Sequence, residues 1–69
     1  MRLSARNQLP GAVRSITRGE AIANVAVDVA GQRVVASITV EAVEELGLRE
    51  GTEVTVVVKA SDVMLATGS

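Results

Sequence analysis

Valine and other β-branched side chains recur at every second position through much of this chain, and a period of two predicts strands. Ala12–Arg18 reads as one strand, with Val13, Ser15 and Thr17 on one face and Ala12, Arg14 and Ile16 on the other. In Ala21–Val29, Val25, Val27 and Val29 share a face opposite Asn24, Ala26 and Asp28. Ala30-Gly31-Gln32 is the expected hairpin turn, and the return strand Arg33–Thr39 directs Val34, Ala36 and Ile38 inward. Val35 in that strand points to cover on both faces in an assembly. Before these elements, a starting segment at Arg2–Arg6 is followed by Pro10-Gly11, an expected turn, and Gly19-Glu20 reads as another.

The rhythm changes after Thr39. Val40, Val43, Glu44 and Leu46 follow helical spacing, Thr39 is the expected N-cap, and Gly47 stands where a left-handed C-terminal cap is common. This predicts a helix of about two turns with Glu41, Glu44 and Glu45 on its solvated face, Glu41 favoured by the helix dipole. Leu48–Gly51 turns the chain into Thr52–Lys59, where Val54, Val56 and Val58 alternate with Thr55, Val57 and Lys59, and a last short strand is expected at Asp62–Ala66. The fold class is therefore mainly β. Three strands, a short helix and two more strands match a small five-stranded OB-like Greek-key barrel, with the helix between the third and fourth strands, as a single domain over residues 1–69. A five-stranded interior is filled by its own side chains, so such barrels bind ligands on surface loops or between subunits.

Composition narrows the chemistry. The 69 residues include no Cys, His, Phe, Tyr or Trp. Zinc and iron–sulfur sites, disulfides and every active centre that needs a thiolate or an imidazole are excluded, and no paired carboxylates suit general acid/base work, so no enzyme is expected. Asp28 and Asp62 are isolated as potential metal ligands. Seven basic residues against eight acidic ones leave a net charge of −1, without the basic field or stacking aromatics expected of a nucleic-acid binder. No stretch has the apolar length to span a membrane, and the N-terminal residues lack a signal core, so a cytoplasmic location is expected. A domain of this size buries only about 60% of the surface its unfolded chain exposes, which makes oligomerisation a common remedy.

Two polar clusters interrupt the valine background: Ser4-Ala5-Arg6-Asn7 and Lys59-Ala60-Ser61. Each joins a cation, a hydroxyl and a small residue, the donors that a tetrahedral oxyanion needs, with an alanine that lets the anion approach the main chain. Lys59 is the only lysine beside six arginines, and it ends a run of valines. Each cluster alone also fits a plainer description, since a strand-end lysine is commonly solvated and Ser-x-Arg-Asn commonly forms a turn. The same holds for Thr39 as a simple helix cap and for Arg18-Gly19-Glu20 as a tight turn.

Three longer stretches are more specific. Met-x-Leu-Ser-Ala-Arg-Asn-Gln-Leu-x-Gly at the start, Ala36–Gly51 in the middle and Val58–Met64 near the end closely resemble the molbindins, small cytoplasmic molybdate-binding proteins built from one Mop domain. The resemblance covers nearly the whole chain, in the family's order and spacing. It implies a barrel that takes molybdate, or tungstate of similar geometry, as bound ligand with no catalytic cofactor. It also implies a homo-oligomer, a hexamer arranged as a trimer of dimers, with the anion between subunits. By the same resemblance the oxyanion-binding residues are Ser4, Ala5, Arg6, Asn7, Thr39, Lys59, Ala60 and Ser61, with Arg6 and Lys59 compensating charge. Ser4, Thr39 and Ser61 donate hydroxyls, Ala5 and Ala60 offer backbone N–H groups, and Gly19 and Glu20 of a neighbouring subunit add main-chain contacts. The missing His and Cys agree with this chemistry, because molybdate oxygens are already bound to their metal and ask for donors rather than ligands.

Two other readings compete. Glu44–Val56 also looks like the helix-to-strand segment of swapped-hairpin DNA-binding domains of antitoxins and transition-state regulators, but the preceding strand here is uncharged and the chain acidic. A barrel that serves only as an assembly module is the other. A chain beginning at Met1 with no appended DNA-binding or ATPase region leads to the expectation of molybdenum storage or homeostasis.

Overall fold

The alternating valines form strands as expected, though fewer of them and in one case much longer. A computed structural model describes residues 6–68. Its elements are β1 (Asn7–Arg18), β2 (Ile22–Val29), β3 (Gln32–Thr39), α1 (Val40–Leu46) and β4 (Glu53–Val58), followed by a single 3-10 turn at Ala60–Asp62. The strands make one antiparallel sheet in the order β3-β2-β1-β4, the spatial order of a Greek key. The sheet is open, with β3 and β4 at its edges.

Pro10-Gly11 is not a turn. It lies inside β1, whose first half pairs with β4 from Asn7↔Val58 to Ala12↔Glu53 and whose second half pairs with β2 from Ala12↔Asp28 to Arg18↔Ala23. At Pro10 the strand has a neighbour on one side only, which is where a sheet tolerates a residue without an N–H. Gly11 is needed for space: a Cβ there would stand 2.6 Å from the Asp28 carbonyl oxygen and 2.9 Å from a Val27 methyl. A bulge between Val13 and Ser15 then shifts the alternation, so that Val13 is buried and Ile16, not Ser15, packs against the same core. Just before the bulge, the Val13 N–H donates to the Thr52 carbonyl and its carbonyl accepts from the Gly51 N–H, both at 2.8 Å.

The fifth strand expected at Asp62–Ala66 is absent. Asp62 closes the 3-10 turn, and residues 63–68 run on without regular structure, with Met64 and Leu65 92% and 94% exposed. A strand needs a neighbouring edge to take up its N–H and C=O groups, and no strand among the described residues pairs with this segment. The five-stranded OB-like barrel is thereby corrected to a four-stranded open sheet with one helix.

Local chemistry accounts for the connections. Ala30 and Gly31 both have positive φ, 50° and 85°, as a type I′ hairpin turn requires, and the Asp28 carboxylate accepts from the Gly31 N–H. Helix α1 begins where the Thr39 Oγ1 accepts from the Ala42 N–H at 3.0 Å, and ends at Gly47 with φ 64°. Val43 of the helix is fully buried on Val13, Ala23, Val25 and Val27 of the sheet, and Ile16, Ile38, Leu48, Val54 and Val56 complete the core. An apolar cleft of about 190 Å³ stays open beside that core, lined by Ala36, Ile38, Leu46, Leu48 and Val54–Val57.

Gly11→Ala is expected to lower stability by about 2 kcal/mol, since neither the Asp28 carbonyl nor the Val27 side chain can withdraw cheaply. Ala30→Asn is expected to raise it by about 0.5–1 kcal/mol by removing left-handed strain at a non-glycine residue. Urea unfolding followed by far-UV circular dichroism reads both, because the chain has no aromatic fluorophore; an unchanged midpoint for Gly11→Ala would disprove the close approach.

Candidate functional site

Antiparallel pairing brings Arg6 and Asn7 of the first polar cluster to the same end of the sheet as Lys59–Ser61. Asn7↔Val58 is the last pair of the β1–β4 ladder. Arg6 immediately precedes Asn7 and Lys59 immediately follows Val58, so both cations leave the sheet from paired positions, where Cα atoms lie roughly 5 Å apart. Arg6, Lys59, Ala60 and Ser61 are all exposed, whereas Asn7 is half-buried and its Nδ2 donates to the Val58 carbonyl at 3.2 Å. Ser4 and Ala5, the other residues of the first cluster, lie outside the described residues.

Lys59 has extended backbone angles (φ −64°, ψ 139°), and the chain then folds into the 3-10 turn. The Asp62 N–H donates to the Lys59 carbonyl at 2.9 Å and the Val63 N–H to the Ala60 carbonyl at 3.3 Å. Ala60 and Ser61 supply the first N–H groups of this turn, which by geometry have no acceptor within it. Two exposed cations, an exposed serine and the first N–H groups of the turn thus lie at one end of the β1–β4 ladder. Asp62, an acidic residue that the sequence pattern left isolated, closes the same turn.

The remaining predicted residues lie elsewhere. Thr39 pairs with Ile22 at the far end of β2 and β3, and the Gly19–Glu20 turn follows the other end of β1. Along the twelve residues of β1 that is about 35 Å from the Arg6 corner at 3.3 Å per residue. The Gly19 N–H is committed to the Ile22 carbonyl at 2.8 Å, and a Cβ on Gly19 would meet that oxygen at 2.9 Å. Thr39 caps the helix as an acceptor, which leaves its O–H able to donate, and it lines a hollow with Glu20, Glu41 and Glu44. One chain therefore gathers Arg6, Asn7, Lys59, Ala60 and Ser61 and separates them from Thr39, Gly19 and Glu20. Among the described residues no group of three or more Asp or Glu is placed to hold a metal ion, and no helix is long and apolar enough to cross a membrane.

With this geometry in view, the chain's likeness to known proteins is specific. Residues 3–65 match the TOBE domain family. Molybdenum-pterin-binding protein 2 of Clostridium pasteurianum is 46% identical over 66 residues, 94% of this chain and 97% of that protein. The chain belongs to the molbindin family of TOBE domains. A molybdate-binding protein from Sporomusa ovata shares the molbindin fold with a TM-score of 0.93 at 36% identity, over 97% of this chain and all of that one. The cytoplasmic molybdate-binding protein ModG, solved with molybdate bound, matches 93% of this chain and 46% of its own at 43% identity, TM-score 0.88. The match to the family also spans Glu44–Val56, the stretch that resembled swapped-hairpin DNA-binding domains. In this molbindin that stretch is a helix end, a turn and a strand paired with β1 of the same chain.

Thr39→Ala is expected to cost about 1 kcal/mol of stability through loss of the cap, while Thr39→Ser retains most of it. Thermal unfolding by circular dichroism compares the two, and equal losses would show that the hydroxyl is not what matters.

Proposed function

We propose that this molbindin binds molybdate, and tungstate of the same geometry, at the corner formed by Ser4–Asn7 and Lys59–Ser61. The observation that supports the reading is the β1–β4 register, which ends at the Asn7↔Val58 pair, one residue from Arg6 on one strand and from Lys59 on the other. Two adjacent cations repel each other, and a tetrahedral dianion between them turns that repulsion into attraction. Arg6 and Lys59 compensate its charge, Ser4 and Ser61 donate hydroxyls, and the main chain at Ala5 and Ala60 donates N–H groups.

A corner this exposed leaves much of an anion's surface in water, and tight retention needs donors on the other side. We place these on a neighbouring subunit, where the Thr39 hydroxyl, which caps its helix only as an acceptor, and the main chain of the Gly19–Glu20 turn on the side away from the Gly19–Ile22 bond meet the anion across a boundary between chains. Exposed Leu9, Ile22, Val35, Leu46 and Val57, with the tail Val63–Leu65, supply apolar surface for a homo-oligomer, which we take to be a hexamer built as a trimer of dimers. The role that fits is cytoplasmic storage or homeostasis of molybdenum: binding without catalysis, through hydrogen bonds to an intact oxyanion rather than direct metal ligation.

Calorimetric titration with molybdate, tungstate and sulfate, beside native mass measurement, tests this. Heat with molybdate and tungstate from an oligomer is expected, and a folded oligomer giving no heat would refute the binding. Lys59→Ala should weaken molybdate binding about tenfold or more, the scale of a charged hydrogen bond, whereas Arg14→Ala on the bulge should change it less than twofold. Equal effects would remove Lys59 from the site.

A further inference from the structure

We infer that Asn7 is a positioning residue that holds Lys59 and its turn in place, and is not itself a ligand of the anion. The inference rests on the oxyanion reading above and deepens it.

Asparagine is depleted in strands, and one at the end of a ladder asks for a reason. Its side chain makes a bond unlike the other side-chain hydrogen bonds among the described residues. Those of Asp28, Thr39 and Thr52 each close a local turn three residues long, whereas Asn7 joins residues 51 positions apart. A carbonyl oxygen can only accept, so the amide nitrogen of Asn7 must face Val58, and the orientation of the whole amide follows.

What the bond holds is the peptide unit between Val58 and Lys59. The Val58 carbonyl and the Lys59 N–H belong to one rigid plane, so anchoring the oxygen fixes the direction in which the chain leaves β4. From there Lys59 is extended and the 3-10 turn begins. Asn7 is also withdrawn to half-buried while Arg6, Lys59, Ala60 and Ser61 are exposed, and its Oδ1 is an acceptor that an anion would avoid. The donor chemistry thus lies outside Asn7, and its alignment depends on Asn7.

The test compares Asn7→Ala in the native background and in Lys59→Ala, using molybdate as the probe, with ¹⁵N relaxation on the anion-free protein. Backbone order parameters at Lys59–Ser61 are expected to fall from about 0.85 toward 0.6, with the rest of the sheet unchanged. Molybdate affinity is expected to drop about tenfold in the native background and by clearly less where Lys59 is already alanine, because only the Ala60 and Ser61 donors are then left to misalign. Unchanged order at Lys59–Ser61 would overturn the inference. So would an equal loss of affinity in both backgrounds, which would make Asn7 an independent ligand. Should Asn7→Ala fail to fold, Asn7→Leu keeps the bulk without the donor and takes the same measurements. If the unaltered protein binds no molybdate, the proposed function fails, while the relaxation comparison still decides whether Asn7 holds the turn.

Discussion

The double pairing of β1 is the constraint from which the rest of the structure follows. One strand serves β4 with its first half and β2 with its second, and Ala12 pairs on both sides. The strands can converge there because position 11 has no side chain, which lets the end of β2 close to within van der Waals limits of the β1 backbone. The bulge after Val13 re-aims the second half so that Val13 and Ile16 both reach the core. In a core without aromatics, such main-chain geometry matters more than side-chain bulk, because valine and alanine have little reach with which to fill a misplaced gap.

The same strand separates the polar chemistry of the chain. Its start is cationic, through Arg6 and the adjoining Lys59, and its far end leads to the acidic hollow of Glu20, Glu41 and Glu44. A nearly neutral total thus conceals two ends of opposite sign. If copies associate so that one end approaches the other, charge complementarity favours that orientation.

The parts legible from sequence were those governed by neighbours in the chain. Thr39 and Gly47 mark the helix ends because caps are local, Ala30-Gly31 marks the hairpin because its φ values are local, and the inward row Val34, Ala36 and Ile38 follows from period two. Residues in long-range register were misjudged. Pro10-Gly11 has the composition of a turn, and only a crossing strand makes it an interior position. The bulge at Arg14 breaks the alternation without any local signal, and Val63-Met64-Leu65 has strand-like composition but no edge to join. For the site, motif resemblance selected both clusters, yet the approach of Arg6-Asn7 to Lys59 and their separation from Thr39 come from the ladder alone.

The span between Asn7 and Val58 has a consequence for the order of folding. The meander of β1, β2 and β3 is joined by short turns and can form while the loop to be closed is small. The β1–β4 ladder must bring together residues 51 apart, and Lys59 follows its last pair. On loop-closure grounds the cationic corner is expected to assemble after the meander and to fray before it. A partly opened chain that keeps its three-stranded meander would still carry Arg6 and Lys59, but no longer at the end of one ladder.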